Sequence, residues 1–97
     1  MACIHTAIFR WKPGTPAEQV ARALDLVRAV AGRVEGISIY CGENSSRWSQ
    51  GFTHAVVVIG TDQQAIDNYR KDSVHEEAAK LIDAIELEGV GVDFQDR

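Results

Sequence analysis

Tyr69 and the three histidines, His5, His54 and His75, are the side chains in this sequence best suited to moving protons. His75 lies two residues beyond Ser73 within a Ser73-x-x-Glu76 capping box, which places it in the first turn of a helix. There the positive end of the helix dipole disfavours an imidazolium, and an imidazole that stays neutral near pH 7 is a competent general base. Tyr69, at the end of the preceding helical segment, can hold a carbonyl or a phenol, or pass a proton to a developing enolate. The pair would support aldol-type chemistry with neither metal nor cofactor. The competing reading is structural: a Tyr69 ring packed at a helix end with its hydroxyl on a backbone group, and a hydrogen-bonded His75. His5 alternates with Ala7 and Phe9 on one side of a strand, where it orients a ligand or is a satisfied polar residue. His54 opens another strand on the side of Val56 and Val58. The catalytic candidates are thus Tyr69, His75 and His5, and the lining candidates Ala7, Phe9, His54 and Val56. Three histidines without HxxH-type local spacing do not make a metal site, so no metal and no cofactor is expected.

The elements that must position these groups can be traced along the chain. Cys3 to Trp11 alternates as a strand and is broken by Lys12-Pro13-Gly14. Thr15-x-x-Glu18 forms a capping box with Pro16 at the first helical position, and Val20, Leu24, Val27 and Ala31 follow as one apolar stripe. Ile37 to Cys41 is a second strand, Gly42 to Gly51 a polar loop bearing Trp48, and Phe52 to Gly60 a third strand with consecutive β-branched residues. Thr61 or Asp62 caps a short helix through Tyr69, and Lys71 to Ser73 breaks it. A last helix carries Ala78, Leu81, Ile82 and Ile85 inward and the solvated acids Glu76, Glu77, Asp83, Glu86 and Glu88 outward. Gly89 and Gly91 end it before a final strand through Val90, Val92 and Phe94. The order β-α-β-β-α-α-β is an α+β, ferredoxin-like split βαβ arrangement in one domain over residues 1–97: a four-stranded antiparallel sheet with helices on one face.

The composition of the strands sets a further condition. Strand one places Ile4 and Ile8 on one side and Cys3, Ala7, Phe9 and Trp11 on the other, and strand three is apolar on both sides. Strands one and three therefore belong in the centre, and the face without helices is too apolar for water. Burying five or six such side chains is worth on the order of 10 kcal/mol, an upper figure comparable to a whole domain's stability. A second copy, sheet against sheet around a shared cavity, is the expected cover. His5, Ala7 and Phe9 are expected to face that cavity, and Trp11 to cover the barrel end or the dimer contact.

Charge and composition exclude several classes. The formal net charge is −4, with no basic cluster, which argues against nucleic acid as a partner. The apolar run Ala55 to Ile59 is far short of the roughly 20 residues that span a bilayer, and the first residues alternate like a strand, unlike a signal segment; a cytoplasmic, membrane-free protein is expected. Cys3 and Cys41 form no CxxC and read as small buried hydrophobes.

The residues resemble a known family, the stress-responsive A/B barrel (Dabb) domain of the dimeric α+β barrel superfamily. The resemblance rests on Ile4-His5-Thr6, Phe9-Arg10-Trp11-Lys12-Pro13-Gly14, Gly42-Glu43-Asn44-Ser45, Gly51-Phe52-Thr53-His54-Ala55, Tyr69 with His75, and Val92-Asp93-Phe94. It implies a homodimer with an apolar pocket for a small aromatic or polyketide-like molecule. One lineage of the family acts as a cofactor-free polyketide cyclase with a Tyr and a His spaced as Tyr69 and His75 are, and a strand-one His equivalent to His5 lining the cavity. This chain has Asp72-Ser73 where many members carry His-Pro, which exchanges a pocket imidazole for a carboxylate. The resemblance leaves open a cyclase or lyase-like enzyme, a non-catalytic stress-response or ligand-binding protein, and a cofactor-free monooxygenase.

Overall fold

The computed structural model describes residues 1–97. Strand β1 (Cys3–Trp11) leads into helix α1 (Ala17–Ala29), which tightens into a 3₁₀ turn at Val30–Gly32. Strands β2 (Ile37–Glu43) and β3 (His54–Gly60), helices α2 (Gln63–Lys71) and α3 (Ser73–Ile85), and strand β4 (Glu86–Gln95) complete the chain. The sheet is antiparallel throughout in the order β2-β3-β1-β4, so the two strands that are apolar on both sides lie in the middle, as their composition requires. No helix is long and apolar enough to cross a membrane.

Helices cover one face of this sheet. From β1 and β3, Cys3, Phe9, Val56 and Val58 are buried there against Val20, Leu24 and Val27 of α1, Ile66 and Tyr69 of α2, and Ala78 and Ile82 of α3. The opposite face is built in cross-strand rows. Ile59, Ile4 and Phe94 stand in one row, Tyr40, Val57, Thr6 and Val92 in the next, and Ala55, Ile8 and Val90 in the third. Tyr40 is 63% exposed, and Val92 and Phe94 are each 51% exposed.

The local signals need three corrections. Thr15 does not cap α1: its hydroxyl donates to the Lys12 carbonyl at 2.6 Å, closing the turn at Gly14. Pro16 is the cap residue, extended at ψ 139°, and the helix starts one residue later with no side-chain cap. At α3 the cap is Asp72, not Ser73; its carboxylate accepts from the Val74 N–H at 3.0 Å and an arriving Arg33 guanidinium holds it at 3.1 Å, so the break between α2 and α3 is a single residue. A carboxylate is the better partner for the bare N–H groups and positive end of a helix. Third, the last strand begins at Glu86, before Gly89. The Lys12 N–H bonds the Ile85 carbonyl and β1 pairs Trp11 with Glu86, so tertiary pairing takes the Glu-Leu-Glu segment from the helix its composition favours. Glu88 then lies on the sheet, 3.2 Å from Arg10.

The expected caps of α2 resolve onto Asp62, whose carboxylate accepts from the Ala65 N–H at 2.9 Å. Asp62→Ala should therefore lower the unfolding free energy by about 1 kcal/mol, read as a drop in urea midpoint with unchanged slope; an unshifted midpoint would show that this cap contributes nothing.

Candidate functional site

The single-residue break at Asp72 turns the chain so that the last turn of α2 and the first turn of α3 face each other. It brings the rings of Tyr69 and His75 together edge to face, with centroids 4.5 Å apart. His5, from the middle of the sheet, reaches the other side of Tyr69 at 6.3 Å. All three line a cavity of about 180 Å³ between the sheet and the helices, together with Ala7, Phe9 and Val56. Its far end is bounded by Asp83 and Glu86.

This placement corrects one expectation. Alternation groups His5 with Ala7 and Phe9 correctly, but that side of β1 faces the protomer's own helices and not a cavity between two sheets. Phe9, Val56 and Val58 are needed to fill the space under α1 and α3, whereas the other side of β1 carries Thr6 between Ile4 and Ile8 and is the poorer core surface. His54 lies apart from the group. Its Nδ1 accepts from the Trp11 indole N–H at 2.9 Å, which leaves the proton on Nε2, and it borders a separate groove against α1 with Thr15, Val20 and Arg28. Trp11 itself stacks on Phe9 at 5.1 Å. Trp48, 72% exposed, carries the Arg47 guanidinium over its ring and is remote from the cavity lining.

The electrostatics separate the roles of the two central groups. Burial pushes the Tyr69 phenol up to about 12, reinforced by Cys41 and opposed by Arg70. The Tyr69 residue itself is only 3% exposed. Burial is also the leading reason that His75 is held below the ordinary imidazole value. The charges of His5 and Arg70 add to the depression, while the Arg70 backbone and Asp72 oppose it. His75 Nδ1 is buried with no hydrogen-bond partner. The molecule therefore presents a phenol that keeps its proton and an imidazole that gives its proton up, side by side.

His5 is held differently. Asp93, opposite it on β4, accepts at its Nδ1 at 2.5 Å and takes the Arg70 guanidinium on its other oxygen at 3.0 Å. The His5 hydrogen bond is the main cause holding the Asp93 carboxyl below the usual range. Asp93 and Arg70 are absent from the sequence-derived candidates. The strand parity of Asp93, shared with Gly91 and Gln95 against Val92 and Phe94, was the signal that could have placed it beside His5; Arg70 carries no such signal.

The sequence profile of the stress responsive A/B barrel domain matches residues 4–96. The chain belongs to this family. Chains of known structure share its fold: a dimeric ferredoxin-like protein of unknown function from Thermobifida fusca YX superposes with a TM-score of 0.86 at 20% identity, covering 99% of this chain and 92% of that one. A Dabb family protein from Mesorhizobium loti has a TM-score of 0.79 at 14% identity, covering 99% and 97%. Hydroxynitrile lyase from Passiflora edulis has a TM-score of 0.86 at 15% identity, covering 99% and 94%. No curated protein matches this Dabb chain by sequence.

A histidine whose value is lowered by folding binds its proton more tightly when unfolded. Its contribution to stability is complete above the ordinary value of 6.5 and is lost as pH falls through the lower value in the folded protein. Urea midpoints should fall as the pH is lowered below 6.5 in the wild type, and the fall should be shallower in His75→Gln; identical profiles in the two would remove the burial argument.

Proposed function

We propose that this Dabb protein is a homodimeric, cofactor-independent acid–base enzyme that makes or breaks a carbon–carbon bond next to a carbonyl in a small aromatic compound. The observation that carries the reading is the buried, unpartnered His75 Nδ1 beside the Tyr69 ring in the cavity between sheet and helices. A neutral imidazole takes the proton; the phenol, protonated at any physiological pH, donates a hydrogen bond to the oxygen on which charge develops. His5, fixed through Nδ1 by Asp93, offers its other nitrogen as an orienting group.

Cavity size narrows the substrate. About 180 Å³ suits one substituted ring, since a dry pocket of about 150 Å³ accepts benzene, and is small for an extended polyketide chain. The direction favoured here is lyase chemistry of the kind named for the passion-fruit protein of the same fold. On an aryl cyanohydrin, His75 would take the hydroxyl proton as the bond to the nitrile carbon breaks. The alkoxide oxygen becomes the aldehyde carbonyl under the Tyr69 hydrogen bond, and the departing cyanide collects the proton from the imidazolium.

The second copy is supported by the three apolar rows of the helix-free face and by the dimeric state named for the structural neighbour from Thermobifida fusca. Rows of exposed Val92 and Phe94 beside half-exposed Ile4 and Val57 form a patch of the kind monomers avoid.

Two measurements test this. With an aryl cyanohydrin or an intramolecular aldol substrate, His75→Ala and Tyr69→Phe are each expected to lower kcat/KM by about 10²- to 10⁴-fold; turnover unchanged in both variants would overturn the assignment. Val92→Lys, at a position already 51% exposed and so tolerable to the fold, should weaken self-association by about 2 kcal/mol or more in sedimentation equilibrium. A wild-type protein that sediments as a stable folded monomer at micromolar concentration would refute the dimer.

A further inference from the structure

We propose that Gly91 keeps the β4 side of the interlayer cavity open, and that the substrate is a ring compound carrying a substituent that leaves the cavity across it. The inference rests on the cavity reading above and extends it from the size of the pocket to the shape of the molecule that fills it.

The cavity is walled on three sides. β1 gives it His5, Ala7 and Phe9, the layer behind gives Val27 and Val56, and α3 gives Ala78, Ala79 and Ile82. The fourth side belongs to β4, where every residue after Glu86 is exposed. The cross-strand row through the cavity floor shows the change. Val56 pairs with Ala7, and Ala7 with Gly91; Val56 is 3% exposed, Ala7 half-buried and Gly91 exposed. Neighbours in such a row point to one face with Cβ positions about 5 Å apart, so Gly91 stands where a side chain would close the row. The opening lies on the helix side of β4, and a second copy on the opposite face leaves it clear.

The two glycines on this side of β4 do different things. A Cβ at Gly89 would collide with the Glu86 carboxylate, so Gly89 seats that residue and ends the opening. A Cβ at Gly91 would meet no atom within 4 Å, and Gly91 is not in the left-handed region. Neither packing nor backbone conformation requires a glycine there, and a strand gives up stability to carry one. Glycine inside a strand often marks a place where a ligand comes close to the backbone. At the other end of the opening Asp93 is tied to His5 and Arg70. Between Asp93 and Gly89 the gap runs about 13 Å, and from α3 the cavity receives Ala79, again a small, half-buried side chain. An independent observation points to a ligand behind this opening: the buried His75 Nδ1 without a partner belongs to a residue of the same cavity. A volume of about 180 Å³ holds one ring, so a chain attached to the end of the ring away from His75 passes over Gly91.

The test compares 4-methoxyacetophenone with the same ketone carrying a triethylene glycol chain on the para oxygen, by amide chemical-shift titration of the full chain. The wild type should bind the two within about threefold, with shifts at Ala7 and Ala78. In Gly91→Leu the methoxy ketone should bind as before, which reports that fold and cavity persist, while the chain-bearing ketone weakens by about tenfold or more. Gly91→Ala should fall between, and Ala79→Leu should show the same selective loss. Exclusion of the chain-bearing ketone from the wild type, its undiminished binding to Gly91→Leu, or an equal loss of both ketones there would overturn this inference and leave the cavity reading standing. If neither ketone shifts cavity residues of the wild type, both fall.

Discussion

The structure depends on one constraint: a sheet whose two central strands are apolar on both sides has to be covered twice. Helices supply the first cover. No helix of residues 1–97 lies on the second face, where Val90, Val92 and Phe94 of the edge strand β4 join the uncovered rows of β1 and β3. Everything else follows from how the first cover is laid. Phe9, Val56 and Val58 must be filled against by α1, α2 and α3, and three separate helices cannot tile a twisted sheet without seams. The seam between the α2–α3 corner and β1 is where Tyr69, His75 and His5 meet.

Much of this was legible in the residues. Period-two patterns located all four strands, and the bounds of β1 and its central position follow directly from the opposition of Ile4 and Ile8 to Cys3, Ala7 and Phe9. The direction of that opposition was not legible. Both faces of β1 are apolar, so alternation states which residues share a side but not which side the helices occupy, and the choice was settled by the bulk of Phe9 and by pairing with Val56 and Val58. The caps failed for a related reason. Thr15 and Ser73 satisfy the local pattern, but a hydroxyl can also close a turn, and Asp72 outcompetes its neighbour because Arg33, distant in sequence, arrives to support it.

The candidate site shows the same division between local and long-range information. Tyr69 and His75 are close in sequence, and their proximity in space needs only a helix break between them. Their chemical contrast needs the rest of the fold: burial is what raises one and lowers the other, and burial is set by β1 and α1. Asp93 and Arg70 reach His5 only through strand register and the packing of α2 on the sheet. Glu86 was assigned to a solvated helix because its helical periodicity is good; its capture by Trp11 across β1 and β4 is what turns it toward the cavity.

The same seam explains why stability and chemistry pull in opposite directions here. A cavity bordered by alanines at Ala7 and Ala78 forgoes packing that larger residues would supply, and a buried imidazole nitrogen with no partner is a cost to the empty protein. Asp72 works in the other direction, as a cap that fixes the corner between α2 and α3. The corner is thereby held by groups outside the cavity, Asp72 and Arg33, while Tyr69 and His75 line it. A site arranged this way owes its shape to its surroundings, and in the proposed reading a ligand supplies the partner that the His75 Nδ1 lacks.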